Sequence, residues 1–238
     1  MMFGSGKKNQ KKKIINEQKQ VLTENSPWPV QEAYKALRTN IIFSLPGGQS
    51  KVIGVTSAMQ HDGKTINAVN MAISFSQLGK KVALVEGDLR LPSVSKKVGC
   101  KSVPGLTNVL AGGCPLTDAM RHMDKFQGLT IIPAGNVPPD PTWLLQSQQM
   151  KVLLDGLRKL YDYVFIDLPP VTTVADALIL APLLDGYLLV VRDQETEYRA
   201  VADTLDQLRL AKAKVIGAVY NGAGQSGNGR YYKHGYYR

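Results

Sequence analysis

The chain has 238 residues, of which 44% are hydrophobic and 20% charged, with two cysteines and a formal net charge of +10. This composition suits one globular α/β domain with tails and argues against a disulfide-stapled or membrane-spanning protein. The most apolar stretch, residues 177–191, is broken by Pro182 and Asp185. The charge does not single out nucleic acid as a partner: residues 1–20 hold +5 and residues 225–238 hold +3, leaving +2 for the body, whereas a nucleic-acid-binding domain is expected to carry its basic patch on the folded surface.

Residues 1–28 read as a flexible basic head. Lys7, Lys8, Lys11, Lys12 and Lys13 have no apolar segment behind them, so they do not read as a secretory signal. A solvated tail and attraction to an anionic membrane face are both open readings. Cys100 and Cys114 lack metal or redox spacing, which fits a reducing cytoplasm. Residues 29–45 form a helical arm. Val30 to Phe43 has Ala33, Leu37 and Ile41 on one side and Glu32, Lys35 and Arg38 on another, and spacing alone reads the second side as a solvated, salt-bridged face.

The body spans residues 46–221. Val52 to Thr56 reads as a strand, and the apolar spacing of Ile66, Val69, Ala72, Ile73 and Phe75 as a helix ended by Gly79. Between them Ala58-Met59-Gln60-His61-Asp62-Gly63-Lys64-Thr65 has the spacing of a phosphate-binding loop. Backbone N–H groups at the helix start would face an anion, Lys64 would reach the outer phosphates, and the Thr65 hydroxyl suits Mg²⁺. A second strand, Lys81 to Val85, runs into Glu86-Gly87-Asp88-Leu89-Arg90. Alternation puts Glu86 and Asp88 on one side, where two carboxylates suggest a cation or a proton-transfer role. The plainer reading is a turn in which Arg90 neutralises one acid.

Residues 93–145 say less, apart from a helix start at Gly105 to Leu110, a strand at Leu129 to Ala134 and a Pro/Gly-rich loop to Pro141. Met150 to Leu160 is an amphipathic helix, and Tyr163 to Asp167 is a buried strand ending in an acid placed to hold Mg²⁺ opposite Thr65. Strand 187–191, helix 196–212 and strand 215–220 complete the alternation, and Asn221 ends the last strand, where its amide suits an adenine edge. The pattern predicts a mostly parallel sheet covered on both faces. Residues 222–238 hold five Gly and no large aliphatic residue, yet Tyr231, Tyr232, Tyr236 and Tyr237 fill half of the last eight positions. They read either as a docking tail or as a cluster of phosphate acceptors.

Taken together, Ala58–Thr65, Val82–Arg90, Val164–Pro169, the Glu32/Lys35/Arg38 spacing and Tyr231–Tyr237 resemble the bacterial tyrosine kinase (BY-kinase) family, in particular the cytoplasmic kinases of capsular and exopolysaccharide operons. The resemblance runs from about Gln31 to Arg238. It implies a P-loop three-layer αβα domain and ATP-dependent phosphorylation of the tail tyrosines in trans. Met59 to Ile66 and Asn221 would bind nucleotide, Lys64, Glu86, Asp88 and Asp167 would be catalytic with Glu86 taking the phenol proton, and Thr65, Asp88 and Asp167 would hold Mg²⁺. Glu32, Lys35 and Arg38 would assemble a ring. The implied partners are a transmembrane activator of the polysaccharide co-polymerase kind, with a cytoplasmic activating segment, and a cognate tyrosine phosphatase. The implied location is the inner face of the cell membrane.

The sequence departs from the family pattern in three places: Lys35 for Arg, Glu86 for Asp, and Gln60-His61-Asp62 for Pro-Gly-Glu, which obliges His61 to adopt the loop conformation. Partitioning and septum-positioning ATPases are the close alternative, although their signature Lys is replaced here by Met59. A catalytically weak nucleotide-binding scaffold is another. Nothing around Cys100 or Cys114 supports an iron–sulfur cluster.

Overall fold

The structure, a computed structural model, describes residues 20–223. The lysines from Lys7 to Lys13 and the tyrosines from Tyr231 to Tyr237 lie outside the described residues.

The elements are α1 (Trp28–Ser44), β1 (Lys51–Ser57), α2 (Lys64–Ser76), β2 (Val82–Glu86), α3 (Val94–Val98), α4 (Leu106–Leu110), α5 (Leu116–Ala119), β3 (Arg121–His122), β4 (Leu129–Ile132), α6 (Pro141–Leu145), α7 (Gln148–Leu160), β5 (Tyr163–Asp167), α8 (Asp176–Ile179), β6 (Gly186–Arg192), α9 (Tyr198–Leu210) and β7 (Val215–Asn221). The strands make one seven-stranded sheet in the order β3-β4-β2-β5-β1-β6-β7, parallel except for β3 against β4. The expected alternation is therefore present. Elements α3, α5, β3, α6 and α8 were not foreseen, being too short to show a period.

The inner strands are runs of Val, Ile, Leu and Phe because both of their faces are covered. Ile53, Val55, Val82, Leu84 and Phe165 enter the core under α1 and α2, while Val52, Ala83, Val85, Val164 and Ile166 enter the core under α7 and α9. Helix α7 has the strongest apolar stripe and buries Met150, Leu153, Leu154 and Leu157; the Ser147 hydroxyl caps it by accepting from the Met150 N–H.

This topology fixes where a ligand can bind. The chain leaves β1 through α2 towards β2 on one side, but leaves β5 through α8 towards β6 on the other side of β1. The outgoing loops part at the carboxyl ends of β1 and β5, and open α/β sheets bind ligands in that crevice.

One boundary moves. Val21 and Leu22 are buried, and the Leu22 N–H donates to Asn70 Oδ1 at 2.8 Å. Residues 20–22 thus belong to the body, inside the stretch expected to be a flexible head. Among the described residues no helix is long and apolar enough to cross a membrane.

Phe165 ties the two central layers: its ring lies 5.3 Å from that of Phe75 on α2, and it is fully buried. Phe165→Ala is expected to cost about 3–5 kcal/mol, read as a lower denaturant midpoint at unchanged slope.

Candidate nucleotide-binding site

A cleft of about 700 Å³ opens at the predicted crevice, bounded by the loop before α2, the ends of β2, β6 and β7, and the start of α1. Gln60, His61, Gly63, Lys64, Thr65, Ile66, Asp88 and Asn221 line it. Met59 and Asp62 are engaged with each other instead, the Met59 N–H donating to Asp62 Oδ2 at 2.9 Å.

The loop's shape follows from two residues in the left-handed region. Gly63, at φ 95, ends the loop and starts α2, whose first N–H groups lack intrahelical partners and suit an anion. His61 takes φ 70 where a side chain is unfavourable, so the loop conformation is reached without the family's glycine. Three bonds hold it there. Arg192 donates to the His61 carbonyl at 3.0 Å, Thr196 Oγ1 donates to Asp62 Oδ1 at 2.8 Å, and Asn221 Nδ2 donates to the Asp62 carbonyl at 2.8 Å. The Asn221 amide is thus a brace for the loop.

Charge gathers beneath the loop. Lys64 Nζ lies 2.8 Å from Asp88 Oδ2 and 3.6 Å from Asp167 Oδ1. Thr65 Oγ1 donates to Asp167 Oδ2 at 2.6 Å and receives the Ser93 hydroxyl at 3.1 Å. Burial would lower the Lys64 pKa, but Asp167, Asp88 and Glu86 outweigh it and hold the ammonium above its ordinary value. Burial pushes Asp167 up, opposed by Lys64 and Thr65.

Glu86 and Asp167 are register partners on adjacent strands, both fully buried. Burial, reinforced by the charge of Asp167, pushes Glu86 up to about 8. Its two oxygens accept the backbone N–H groups of Ser93 at 2.9 Å and Val94 at 2.8 Å, at the start of α3. Glu86 and Asp167 both stand behind the cleft wall, whereas Asp88 is part of it. The plainer alternative, Arg90 neutralising Glu86 or Asp88, is not what forms: Arg90 makes a bidentate pair with buried Asp176, at 2.8 and 3.1 Å, and Thr142 joins it.

One observation tests whether these residues suit Mg²⁺. Asp167 Oδ1 is buried and accepts no hydrogen bond, beside the hydroxyls of Thr65 and Ser93. Among the described residues no three His, Cys, Asp or Glu side chains converge as a cation cage. A nucleotide-bound Mg²⁺ needs none, since it takes one or two protein oxygens together with phosphates and water. The residues fit.

In the arm, Lys35 pairs with Glu32 at 2.7 Å on the surface, while Arg38 turns inward to the Ser74 carbonyl and, at 3.2 Å, its hydroxyl. The site residues not foreseen are Ser93, Thr142, Asp176, Arg192 and Thr196. No local spacing marks them, because their partners lie far away in the chain.

The family model described as an AAA domain matches residues 50–215. The tyrosine-protein kinase YwqD of Bacillus subtilis (strain 168) is 37% identical over 206 residues, covering 87% of this chain and 85% of that protein. The kinase domain of the Escherichia coli tyrosine kinase ETK superposes with a TM-score of 0.79 at 30% identity, covering 87% of this chain and 80% of that one. The septum site-determining protein MinD of Pyrococcus horikoshii OT3, solved with Mg-ADP, superposes less well: TM-score 0.63 at 26% identity, covering 75% and 72%.

The loop generates a paired prediction. A Cβ on Gly63 would lie 2.1 Å from Asn221 Nδ2 at a positive φ, so Gly63→Ala should cost more than roughly 1 kcal/mol. His61→Gly should instead stabilise the fold by up to about 1 kcal/mol. Denaturant melts of both variants check the opposite signs.

Proposed function

The chain belongs to the bacterial tyrosine-protein kinase family, and we propose that it transfers the γ-phosphoryl group of ATP to tyrosine hydroxyls, first of all those of Tyr231, Tyr232, Tyr236 and Tyr237 on another copy. The observation that carries this is the cluster at the start of α2: an ammonium held by two carboxylates beside a helix N-terminus, with a buried carboxylate oxygen that accepts no hydrogen bond. The greater likeness to kinases than to a septum-positioning protein favours phosphoryl transfer to protein over a partitioning switch.

In this reading the loop N–H groups and Lys64 bind and neutralise the outer phosphates, which costs little reorganisation because Lys64 is already held in place. Thr65 and Asp167, with Asp88, would hold Mg²⁺, which when bound neutralises charge on the phosphates. Arg192, Thr196 and Asn221 keep the loop in its conformation. Asp88 lines the cleft and is the carboxylate best placed to orient an incoming phenol. Glu86 lies outside the cleft lining and its two oxygens hold the Ser93 and Val94 N–H groups, so we assign Glu86 to holding α3 against β2. Tyr and carboxylate pKa values differ by roughly six units, so the proton moves late, as suits a loose transition state.

The resemblance also supports, as part of the proposal, a membrane-protein activator with a cytoplasmic segment, assembly of copies through the arm, a phosphatase that resets the tail, and a role in capsular or exopolysaccharide synthesis at the inner membrane face. The inward turn of Arg38 leaves Glu32 and Lys35 as the arm's exposed pair for such assembly.

Two experiments test the chemistry. Lys64→Met should lower phosphotyrosine formation on the tail by on the order of a hundredfold or more with unchanged far-UV circular dichroism; retained phosphotyrosine would remove Lys64 from the mechanism. Asp88→Asn, which keeps an oxygen for the Leu91 N–H but loses the ion pair with Lys64, should lower turnover, and Glu86→Gln, which places an amide donor against the N–H of Ser93 or Val94, should lower the melting temperature. A Glu86→Gln protein that melts like the unaltered chain yet has lost turnover would return the proton-accepting role to Glu86.

A further inference from the structure

Residues of the N-terminal segment, Tyr34 among them, line the cleft, and an unbroken series of hydrogen bonds joins that segment to the start of α2. The Leu22 N–H donates to Asn70 Oδ1 at 2.8 Å. Asn70 Nδ2 donates to the Gln20 carbonyl at 3.1 Å and to the Tyr34 hydroxyl at 3.0 Å. The Tyr34 hydroxyl donates to Asn67 Oδ1 at 3.0 Å, and Asn67 Nδ2 donates to the Gly63 carbonyl at 3.0 Å.

The direction of every bond is forced from its ends. A backbone N–H can only donate, so Leu22 fixes the Asn70 oxygen and turns its amide nitrogen towards Tyr34. A backbone carbonyl can only accept, so Gly63 fixes the Asn67 nitrogen and turns its oxygen towards Tyr34. The phenol, one donor with acceptor lone pairs, fits between them in one arrangement. Asn67 and Asn70 are buried, and a network of this kind is costly once a member is lost. It ends on the residue that starts α2, where a Cβ would not fit.

We propose that Tyr34, Asn67 and Asn70 are positioning residues that make the arm part of the nucleotide site: the arm sets the Gly63 peptide, and with it the loop N–H groups that meet the phosphates. The inference rests on reading Ala58–Thr65 as a nucleotide site. By linkage, bound nucleotide holds the arm and residues 20–22 against α2 to the same extent. An arm engaged with another copy or with an activator therefore reports on, and tunes, nucleotide affinity.

The test uses the full chain with Tyr34→Phe, which keeps the ring and removes the hydroxyl. Gln31→Ala is the comparison: the Gln31 amide ties α1 to the carbonyls of Glu24 and Ser26 and has no part in the relay. Mg·ADP affinity is measured by calorimetry, amide exchange in the nucleotide-free chain by mass spectrometry, and KM and kcat for ATP by phosphotyrosine formation. Tyr34→Phe should weaken Mg·ADP about tenfold, put the loss on KM rather than kcat, and speed exchange at residues 63–68 and 20–22 together, while Gln31→Ala keeps affinity within about twofold. Affinity within twofold of the unaltered chain in Tyr34→Phe overturns the proposal. So does an equal loss in Gln31→Ala, which would make the arm's contribution mere packing. Should the unaltered chain bind no nucleotide, the nucleotide reading fails by itself, and exchange at residues 63–68 still decides whether the relay holds the loop.

Discussion

Two carboxyl groups buried side by side at the end of a hydrophobic sheet are the constraint on which this structure depends. Glu86 and Asp167 sit in register on adjacent parallel strands, where the strand spacing is roughly 4.8 Å. Neither acid has solvent to relieve it. Lys64 reaches in from α2 to meet Asp167 and Asp88, Thr65 bonds Asp167, and α3 turns its first N–H groups onto Glu86. Each response positions an element: α2 must begin where its Lys falls over Asp167, and α3 must begin where its amides reach β2. The architecture around the cleft is the set of answers to one electrostatic demand.

The same demand explains why the cluster is poised for use. Asp167 retains one oxygen that accepts no hydrogen bond, and Lys64 is held by Asp88, Asp167 and the Thr65 hydroxyl, partners that a polyphosphate and its cation would replace. The loop above carries its own strain at His61, balanced by bonds from Arg192, Thr196 and Asn221 on β6, its following loop and β7. Backbone strain at a phosphate loop is tolerated where surrounding structure over-determines it, and here three separate segments do so.

What could be read from residues alone divides by distance along the chain. The βα alternation was legible because doubly covered strands such as Tyr163–Asp167 must be apolar throughout, and the loop between β1 and α2 because its residues are contiguous. The acids of β2 and β5 were legible as acids at strand ends. Their partners were not. The Arg90–Asp176 pair spans 86 residues and the Thr196–Asp62 bond spans 134, and no local spacing carries such information. Arg38 was read as part of a polar face by its period, yet its length lets it cross to Ser74 on α2. Glu86 and Asp88 were paired by alternation, but β2 ends at Glu86, so the period that relates them stops between them. Residues 20–22 carry only two apolar side chains, too few to announce that they pack.

The sheet's two edges differ. One is β3, two residues long; the other is β7, seven residues reading Val-Ile-Gly-Ala-Val-Tyr-Asn without a charge. A long, uncharged, β-prone edge is a template on which other chains can add strands. Ile216 and Val219 of β7 pack into the same core as Tyr34 and Leu37 of α1, so the arm shields the inner face of that edge. Shortening the chain from its N-terminus would strip this cover and bare the apolar face of β7 beside its free edge, and the first consequence would be colloidal, a protein more inclined to self-associate.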